Sequence, residues 1–164
     1  MPAGVVDVSA LIFLAKLHRL DALQVLSPVL TTREALDEVL AGLLTGHRDA
    51  LAVQAAVQER RIGVRRAPAL RSTMVHLEEG ERSVLALAHH LAGSTAVLDD
   101  LGAIKAAHSL GIRARSTPFL LLDNTAAGRL SALEFRGALD SLLREGYFLS
   151  PRLYVRLLEE SAKR

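Results

Sequence analysis

The sequence predicts an α/β protein with a short parallel central sheet flanked by helices and a helical C-terminal extension. Short apolar runs alternate with longer segments whose apolar residues recur at helical spacing, which is the order expected of a parallel sheet. The strand-like runs are short and mainly apolar, as is typical of strands buried on both faces. The alternation ends near residue 122. We therefore expect one domain over residues 1–164, with a core at about 4–122 and a helical tail at about 123–164.

The first predicted strand and the first predicted helix lie before Pro28. Residues 4–6 form a short, mainly β-branched run that ends at Asp7, and such a run favours a strand. From residue 9 to residue 25, leucine and alanine recur at helical spacing, which predicts one helix over 9–25. Pro28 ends this pattern, because proline cannot continue a helix.

Residues 29–65 predict two further strands and two further helices. The threonine pair Thr31-Thr32 follows an apolar run, and either hydroxyl can cap the helix that begins after it. A loop is expected around Pro68. The predicted strands are 29–30 and 61–65, and the predicted helices are 33–44 and 50–60.

Glycine and acidic residues mark the predicted ends of helices and strands in the rest of the core and in the tail. Gly80 introduces a helix, the pair Asp99-Asp100 closes an apolar strand, and Gly111 stops the helix that follows. These predicted helices are 79–91 and 103–110, and these predicted strands are 95–98 and 112–114. The tail, 118–163, reads as helical with breaks expected near Asp123-Asn124, at Gly146 and at Ser150-Pro151.

Composition excludes several classes of protein. The chain has no cysteine, so disulfides and thiolate metal sites are excluded, and a metal ion would be held by oxygen or histidine. No signal peptide and no apolar run of about 18 residues is visible, so we expect no membrane span and a cytoplasmic protein. Aromatic residues are sparse, which argues against base-stacking platforms.

The charge balance is compatible with a polyanionic partner. Net charge is only +2, but the isoelectric point is near 9.4 and most cations are arginine, which suits bidentate phosphate contacts. An arginine-rich genome would give the same composition, so this observation alone does not decide between the two explanations.

Five carboxylates are predicted to gather at one edge of the sheet. In open α/β sheets, ligand chemistry lies at the carboxyl ends of the strands. Asp7 ends the first strand, Asp99 and Asp100 end the fourth, Glu38 lies on the helix after the second, and Glu81 opens the helix before the fourth. Oxygen ligands without cysteine favour Mg²⁺ or Mn²⁺, which can activate water and offset charge on a phosphoryl group. These residues are therefore candidate catalytic residues for phosphodiester hydrolysis.

Each acidic residue also has an ordinary structural interpretation. Asp7 could be a helix N-cap, and Glu81 could be a first-turn glutamate favoured by the helix dipole. Glu38 could simply be solvated, and Asp99-Asp100 could start a loop. Their joint placement at strand ends favours a functional site over these alternatives.

Two arginine pairs flank the predicted edge strand. Arg60-Arg61 stand at its start and Arg65-Arg66 at its end, so the four side chains could line an RNA path. Charge that protects an edge strand from aggregation is the commoner explanation of such residues, and we favour it slightly.

The motifs together resemble the PIN-domain nucleases, in the branch related to the toxins of VapBC-type toxin–antitoxin modules. The resemblance covers about residues 4–122 and extends into the tail at Glu145-Gly146-Tyr147-Phe148. The matching motifs, in order, are Val5-Val6-Asp7-Val8-Ser9, Thr31-Thr32 through Glu38, Gly80-Glu81 with the alanine-rich helix to Ala88, Val97-Leu98-Asp99-Asp100, and Ser116-Thr117. Where some relatives carry an arginine after the acidic pair, this chain has Leu101 to Ile104 followed by Lys105.

The resemblance implies a Rossmann-like fold and an endoribonuclease that uses Mg²⁺ or Mn²⁺ and is held by an antitoxin protein. It implies that Asp7, Glu81 and the Asp99-Asp100 pair bind the metal, without deciding which of the pair does so directly. Ser9 would orient Asp7 or a bound water, and Thr117 would support the site. A homodimer is also expected, because the helices carry more leucine and alanine than one small sheet needs.

Two other functions remain possible from the sequence. A non-catalytic PIN-like interaction module would keep the fold without productive metal binding, and the presence of all the acidic positions argues against it. A receiver or phosphoaspartyl domain is disfavoured, because the acidic pair follows a late strand and residue 9 is serine rather than aspartate.

Overall fold

The computed structural model describes residues 1–70 and 76–163, which form an α/β fold around one parallel sheet. Within these residues the sheet has five strands in the order β3-β2-β1-β4-β5, all parallel to their neighbours. The strands are β1 Gly4–Val6, β2 Val29–Thr32, β3 Gly63–Arg65, β4 Thr95–Val97 and β5 Arg113–Arg115. The predicted fold class is confirmed, and β3 is an edge strand as expected.

The strand order creates a switch point between β1 and β4. Strands β2 and β3 follow β1 along the chain and lie on one side of it in the sheet. Strands β4 and β5 come later and lie on the other side of β1. In register, Val6 pairs with Val97, Thr32 with Arg65, and Val97 with Arg115. All carboxyl ends therefore reach the same edge, which we call the carboxyl rim, and the crevice that binds ligands in such sheets lies between β1 and β4.

Helices cover both faces of the sheet. The helices are α1 Val8–Lys16, α2 Arg33–Ala41, α3 Asp49–Gln58, α4 Glu79–His90, α5 Leu101–Ser109, α6 Thr117–Ala126, α7 Ala132–Arg144 and α8 Pro151–Ala162, with 3₁₀ turns at Leu20–Val25 and Gly42–Thr45. Val5 packs in one buried cluster and Val6 in the other, because successive residues of a strand face opposite sides. None of the helices in the described residues has the length and apolar character needed to cross a membrane.

The predicted single helix over 9–25 is wrong. Helix α1 ends at Lys16, and His18 adopts a left-handed conformation with φ of 53°. The amide of Arg19 donates to the Leu14 carbonyl at 2.8 Å and the amide of His18 donates to the Ala15 carbonyl at 3.0 Å. These are the two hydrogen bonds of a Schellman motif, which satisfies the last carbonyls of the helix. A 3₁₀ turn then takes the chain to β2.

Two other helix boundaries also differ from expectation. The helix predicted over 33–44 ends at Ala41, where a 3₁₀ turn replaces its last residues. The break expected near Asp123-Asn124 is absent from α6, because the buried Asn124 side chain donates to the Ala22 and Leu120 carbonyls instead of interrupting the helix. The chain turns at Gly128, whose φ is 70°. The breaks at Gly146 and before Pro151 are confirmed.

Candidate metal centre

Asp7 occupies the centre of the carboxyl rim and is buried without a full set of partners. It follows β1 directly and stands at the N-cap position of α1, but its side chain makes no capping hydrogen bond. Its exposed fraction is 1%, and Oδ1 has no hydrogen-bond partner. A buried oxygen left unpaired costs about 1–3 kcal/mol, more if charged. The N-cap interpretation of Asp7 therefore does not account for this carboxylate.

The surroundings of Asp7 raise its pKa to about 7, from an ordinary value of 3.8. Burial is the largest cause, the backbone amide of Val8 opposes it, and the charges of Glu81, Glu38 and Asp99 add to it. Three of the predicted acidic residues are thus close enough to act on Asp7. A cation placed among them would offset this repulsion and restore the ionised form.

Asp99 is held on the other side of the switch point by three hydrogen bonds. Its Oδ1 accepts from the Thr117 amide and from the Tyr147 hydroxyl, both at 2.8 Å. Its Oδ2 accepts from the Thr117 hydroxyl at 2.7 Å. Burial raises the pKa of Asp99, while these donors favour the charged form and oppose the shift. The carboxylate is therefore fixed in one orientation.

Asp100 differs from Asp99 in its exposure and in its hydrogen-bond partner. It is exposed, stands at the N-cap of α5, and its Oδ1 accepts from the Ala103 amide at 2.8 Å. This is ordinary capping of a helix N-terminus. The adjacent acids Asp99 and Asp100 thus separate into a fixed, half-buried carboxylate and an exposed cap.

Glu81 and Glu38 combine structural contacts with places at the rim. Glu81 Oε2 accepts from the Glu78 amide at 3.0 Å, as in a capping box, so the first-turn interpretation is correct for that oxygen. Burial raises the pKa of Glu81, and the charges of Asp100, Glu78 and Glu38 add to the shift. Glu38 is half-buried, and its Oε1 accepts from the Gly80 amide at 2.8 Å.

Gly80 explains part of the Gly-Glu motif. A Cβ on this residue would lie 2.8 Å from Glu38 Oε1 and 3.0 Å from its carboxyl carbon. The glycine therefore lets the Glu38 carboxylate approach the N-terminus of α4, where unpaired amides and the helix dipole favour negative charge. The sequence pattern predicted both residues but did not predict their contact.

The two predicted supporting residues have different surroundings. Thr117 is buried, and both its amide and its hydroxyl donate hydrogen bonds to the Asp99 carboxylate. Ser9 is half-buried two residues after Asp7, but it does not bond Asp7 Oδ1, which has no partner. Tyr147 is the residue that sequence analysis left out of the site. In the sequence, its segment Glu145-Gly146-Tyr147-Phe148 contributes only to the family resemblance.

The four candidate RNA-binding arginines do not lie together. Arg65 is the last residue of β3 and Arg66 follows it, so both are at the carboxyl rim. Arg60 and Arg61 precede β3 and lie at the opposite end of the strand. All four are exposed, and the Arg61 guanidinium pairs with Glu59 at 2.7 Å. Only the second pair shares an edge with the acidic residues.

The donor atoms of the rim fit a hard cation in their chemistry. All candidates are carboxylates, and the buried, unpaired Asp7 Oδ1 beside other negative charges is the kind of atom that a cation would satisfy. The side chains do not close around an ion, however: within residues 1–70 and 76–163, no three histidine or acidic side chains lie close enough together to hold one.

A comparison with models of known protein families identifies the family of this chain. A family model described as DUF3368: PIN domain matches residues 3–163. No curated protein sequence matches the chain.

Proposed function

The chain belongs to the PIN-domain family, and from this premise we propose that it is a metal-dependent endoribonuclease that hydrolyses phosphodiester bonds in RNA. PIN domains are generally nucleases, which gives the broad chemical class. The observation that carries the proposal is the buried Asp7 carboxylate, with an unpaired Oδ1, at the switch point of the sheet. No structural role in the described residues accounts for an oxygen in that state.

Three acidic residues would hold the ion, and their side chains would have to close around it on binding, since within the described residues no three such side chains already surround an ion. Asp7 offers its unpaired Oδ1, Asp99 offers an oxygen already oriented by Thr117, and Glu81 has one oxygen outside its capping bond. A bound Mg²⁺ or Mn²⁺ supplies charge for the phosphoryl oxygens and lowers the pKa of water. Asp100 and Glu38 add negative charge at the rim, while their own bonds hold the N-termini of α5 and α4. The residues of the chain thus supply the oxygen atoms at that position and hold them in orientation.

The direct test is cleavage of RNA by the purified protein. We expect cleavage with Mg²⁺ or Mn²⁺, loss of cleavage in EDTA, and recovery when the metal is restored, because the proposed site needs a cation to offset its carboxylates. The measurement is gel analysis of a labelled RNA, with a preparation of Asp7→Asn made in parallel as the contamination control. Equal cleavage in EDTA, or equal cleavage by the variant, would contradict the proposal.

We propose that RNA crosses the rim beside Arg65 and Arg66. The double change Arg65→Glu and Arg66→Glu should weaken RNA binding about tenfold, because phosphate contacts dominate such affinity. The matched control is Arg60→Glu with Arg61→Glu, which makes the same charge change at the opposite end of β3. Fluorescence anisotropy on a labelled RNA at fixed salt measures both. Equal loss in the two variants would contradict a path at the rim and favour a general effect of charge.

We also propose that the protein is the toxin of a toxin–antitoxin module and that an antitoxin protein covers it. The support is the order of motifs in the sequence, from Asp7-Val8-Ser9 to Ser116-Thr117, together with the tail. The neighbouring open reading frame provides the check: a small gene for an antitoxin beside this gene supports the module, and its absence counts against it.

A homodimer is the proposed assembly. Large apolar side chains are exposed on α7, on α8 and between them: Leu133, Leu143, Phe148 and Val155. Exposed apolar surface of this kind favours association. We expect light scattering at micromolar concentration to give twice the chain mass of 17.7 kDa. A monomer mass would count against the dimer.

A non-catalytic PIN-like interaction module is the alternative. The observation that favours it is the lack of any three side chains, within the described residues, that already surround an ion. Such a module would leave Asp7 buried with no cation beside it. It predicts no stabilisation by Mn²⁺ and no cleavage, so the experiment above separates the two functions.

A further inference from the structure

A cavity opens at the free edge of β5, between α5 and α6. Strand β5 is the last strand on its side of the sheet, so no further strand of the described residues pairs with it. The cavity has a volume of about 270 Å³ and is lined by residues of α5, β5 and α6 and by the link between the last two: Ile104, His108, Ala114, Arg115, Ser116 and Phe119. None of the acidic residues of the candidate metal centre lines it, so that centre does not account for the cavity.

The two helices bound the cavity from opposite faces of the sheet. Ile104 of α5 packs against the buried cluster that contains Val5, and Phe119 of α6 packs against the cluster that contains Val6. Both residues are only partly buried. The cavity is therefore a slot with an apolar residue on each side and the strand edge as its floor. A flat ring inserted in the plane of the sheet would lie between these two residues.

The floor of the cavity offers backbone hydrogen-bonding groups. The Arg115 carbonyl accepts from the Leu98 amide at 2.9 Å, on the side of β5 that faces β4. Because the backbone groups of successive strand residues point to alternate sides, the amide and the carbonyl of Ala114 point toward the open edge. An edge strand presents such groups to whatever lies beside it. A ligand in the cavity therefore meets one donor and one acceptor.

The cavity adjoins the candidate metal centre at the carboxyl rim. Ser116 lines the cavity, and the next residue, Thr117, donates its amide and its hydroxyl to Asp99 at 2.8 and 2.7 Å. Arg115 lies at the same end of β5, where its Nε donates to Asp123 Oδ2 at 2.9 Å. The terminal nitrogens of its guanidinium carry four further N–H donors, which suit a phosphate. A nucleic acid strand on the rim would thus pass the cavity beside a cation.

We propose that this cavity binds one unstacked nucleobase of the RNA substrate, next to the metal centre. The inference rests on the proposed function and deepens it by saying how the substrate is held. Proteins recognise single-stranded RNA by stacking splayed bases on aromatic side chains and bonding the edges of those bases. Phe119 and Ile104 supply the two faces, and Ala114 supplies the donor and the acceptor. One base needs only one ring, so the sparse aromatic composition of the chain is compatible with this site.

A protein strand is the other ligand that an open sheet edge can take. Two features of β5 favour the nucleobase. The strand has only three residues, Arg113–Arg115, which gives little length for strand pairing. Its first and last residues are exposed arginines, and charge of this kind protects an edge from an added strand. The same charge attracts the phosphate backbone of a nucleic acid.

The test compares two labelled oligonucleotides on the wild type and on Ala114→Leu. One is a single-stranded RNA of about eight nucleotides, and the other is the same ribose-phosphate chain without bases. Leucine fills the cavity and leaves the charges of the rim unchanged. We expect the wild type to prefer the RNA with bases, and the variant to bind that RNA about tenfold more weakly, because a stacked base contributes affinity of this size. Affinity for the chain without bases should not change. Fluorescence anisotropy in EDTA, where the proposed nuclease does not cut, measures all four affinities.

Ala55→Leu is the matched control. Ala55 is partly buried like Ala114 and lines another cavity, between α1 and α3. The same substitution there should leave both affinities unchanged. If Ala114→Leu does not fold, Phe119→Leu, which removes the aromatic ring and keeps an apolar side chain, should weaken binding of the RNA with bases and not of the chain without them.

The outcomes distinguish this inference from the proposed function. If the wild-type protein neither cuts nor binds RNA, the proposed function and the inference both fail. If it cuts RNA with Mn²⁺ but binds the two oligonucleotides equally, or binds neither, the inference fails and the function stands. If folded Ala114→Leu keeps the preference for bases, or Ala55→Leu loses it equally, the inference is overturned, and the open edge of β5 is left for a protein strand.

Discussion

Asp7→Asn is expected to abolish RNA cleavage and to raise the free energy of unfolding of the metal-free protein. Cleavage is lost because asparagine removes the charge of a proposed ligand at the centre of the rim. Stability rises because the wild-type carboxylate is buried among Glu81, Glu38 and Asp99, and burial and repulsion raise its pKa to about 7. A gain in stability from a change that destroys activity is typical of a functional site and not of a cap.

The sign of the pH dependence follows from the direction of this shift. The folded protein binds a proton at Asp7 more tightly than the unfolded chain, so stability falls as pH rises from 3.8 to about 7. Above that pH range, the full shift lowers the free energy of unfolding of the wild type by about 4 kcal/mol. The buried, unpaired asparagine amide of the variant costs about 2 kcal/mol, which offsets part of the gain from removing the carboxylate. We therefore expect a net gain of about 2 kcal/mol at pH 8, which shrinks as pH falls below 7.

Melting curves of both proteins between pH 5 and pH 8, with and without Mn²⁺, measure these effects. Added Mn²⁺ should stabilise the wild type by mass action and Asp7→Asn much less. Asp21→Asn is the control, because Asp21 is exposed on the 3₁₀ turn that leads into the opposite end of the sheet. If Mn²⁺ stabilises wild type and Asp7→Asn equally, Asp7 is not a ligand. If the variant is also no more stable than wild type at pH 8, burial and repulsion at Asp7 do not destabilise the metal-free protein.

The acidic residues that come directly after strands could be predicted from the sequence. Asp7 and Asp99 each come directly after a short apolar run, and carboxyl ends of parallel strands share an edge. That argument needs only local pattern and the direction of the sheet, so it predicted the acids near Asp7 without any knowledge of packing. It treated Asp99 and Asp100 alike, because adjacent residues share one local pattern although their side chains face different surroundings.

Contacts between distant segments could not be predicted in this way. The Tyr147–Asp99 hydrogen bond joins residues 48 apart, and the Glu38–Gly80 bond joins residues 42 apart. Both depend on how helices pack, which periodicity does not specify. The end of α1 at Lys16 could not be predicted for another reason. The apolar spacing continues through Leu20, and the left-handed residue that follows the helix is His18, so no glycine or proline marks the end.

Asp99→Asn and Asp100→Asn, compared directly, are expected to differ strongly in RNA cleavage. The two changes are chemically identical and affect adjacent residues, so they isolate the surroundings of each carboxylate. In Asp99→Asn, two donors at Oδ1 keep the amide oxygen in that place and force the amide nitrogen into the place of Oδ2. A donor group then occupies the position of the proposed ligand atom, and we expect cleavage to fall by about a hundredfold or more.

Asp100→Asn should keep cleavage within a few-fold of wild type. Its carboxylate caps α5 through the Ala103 amide, and asparagine caps a helix about as well as aspartate. The remaining effect comes from its charge, which acts on Glu81 from an exposed position. The measurement is the rate of cleavage at saturating Mn²⁺, with far-ultraviolet circular dichroism to confirm that both variants are folded. Equal losses in the two variants would mean that both acids bind the ion, and a larger loss in Asp100→Asn would reverse the assignment of ligand and cap.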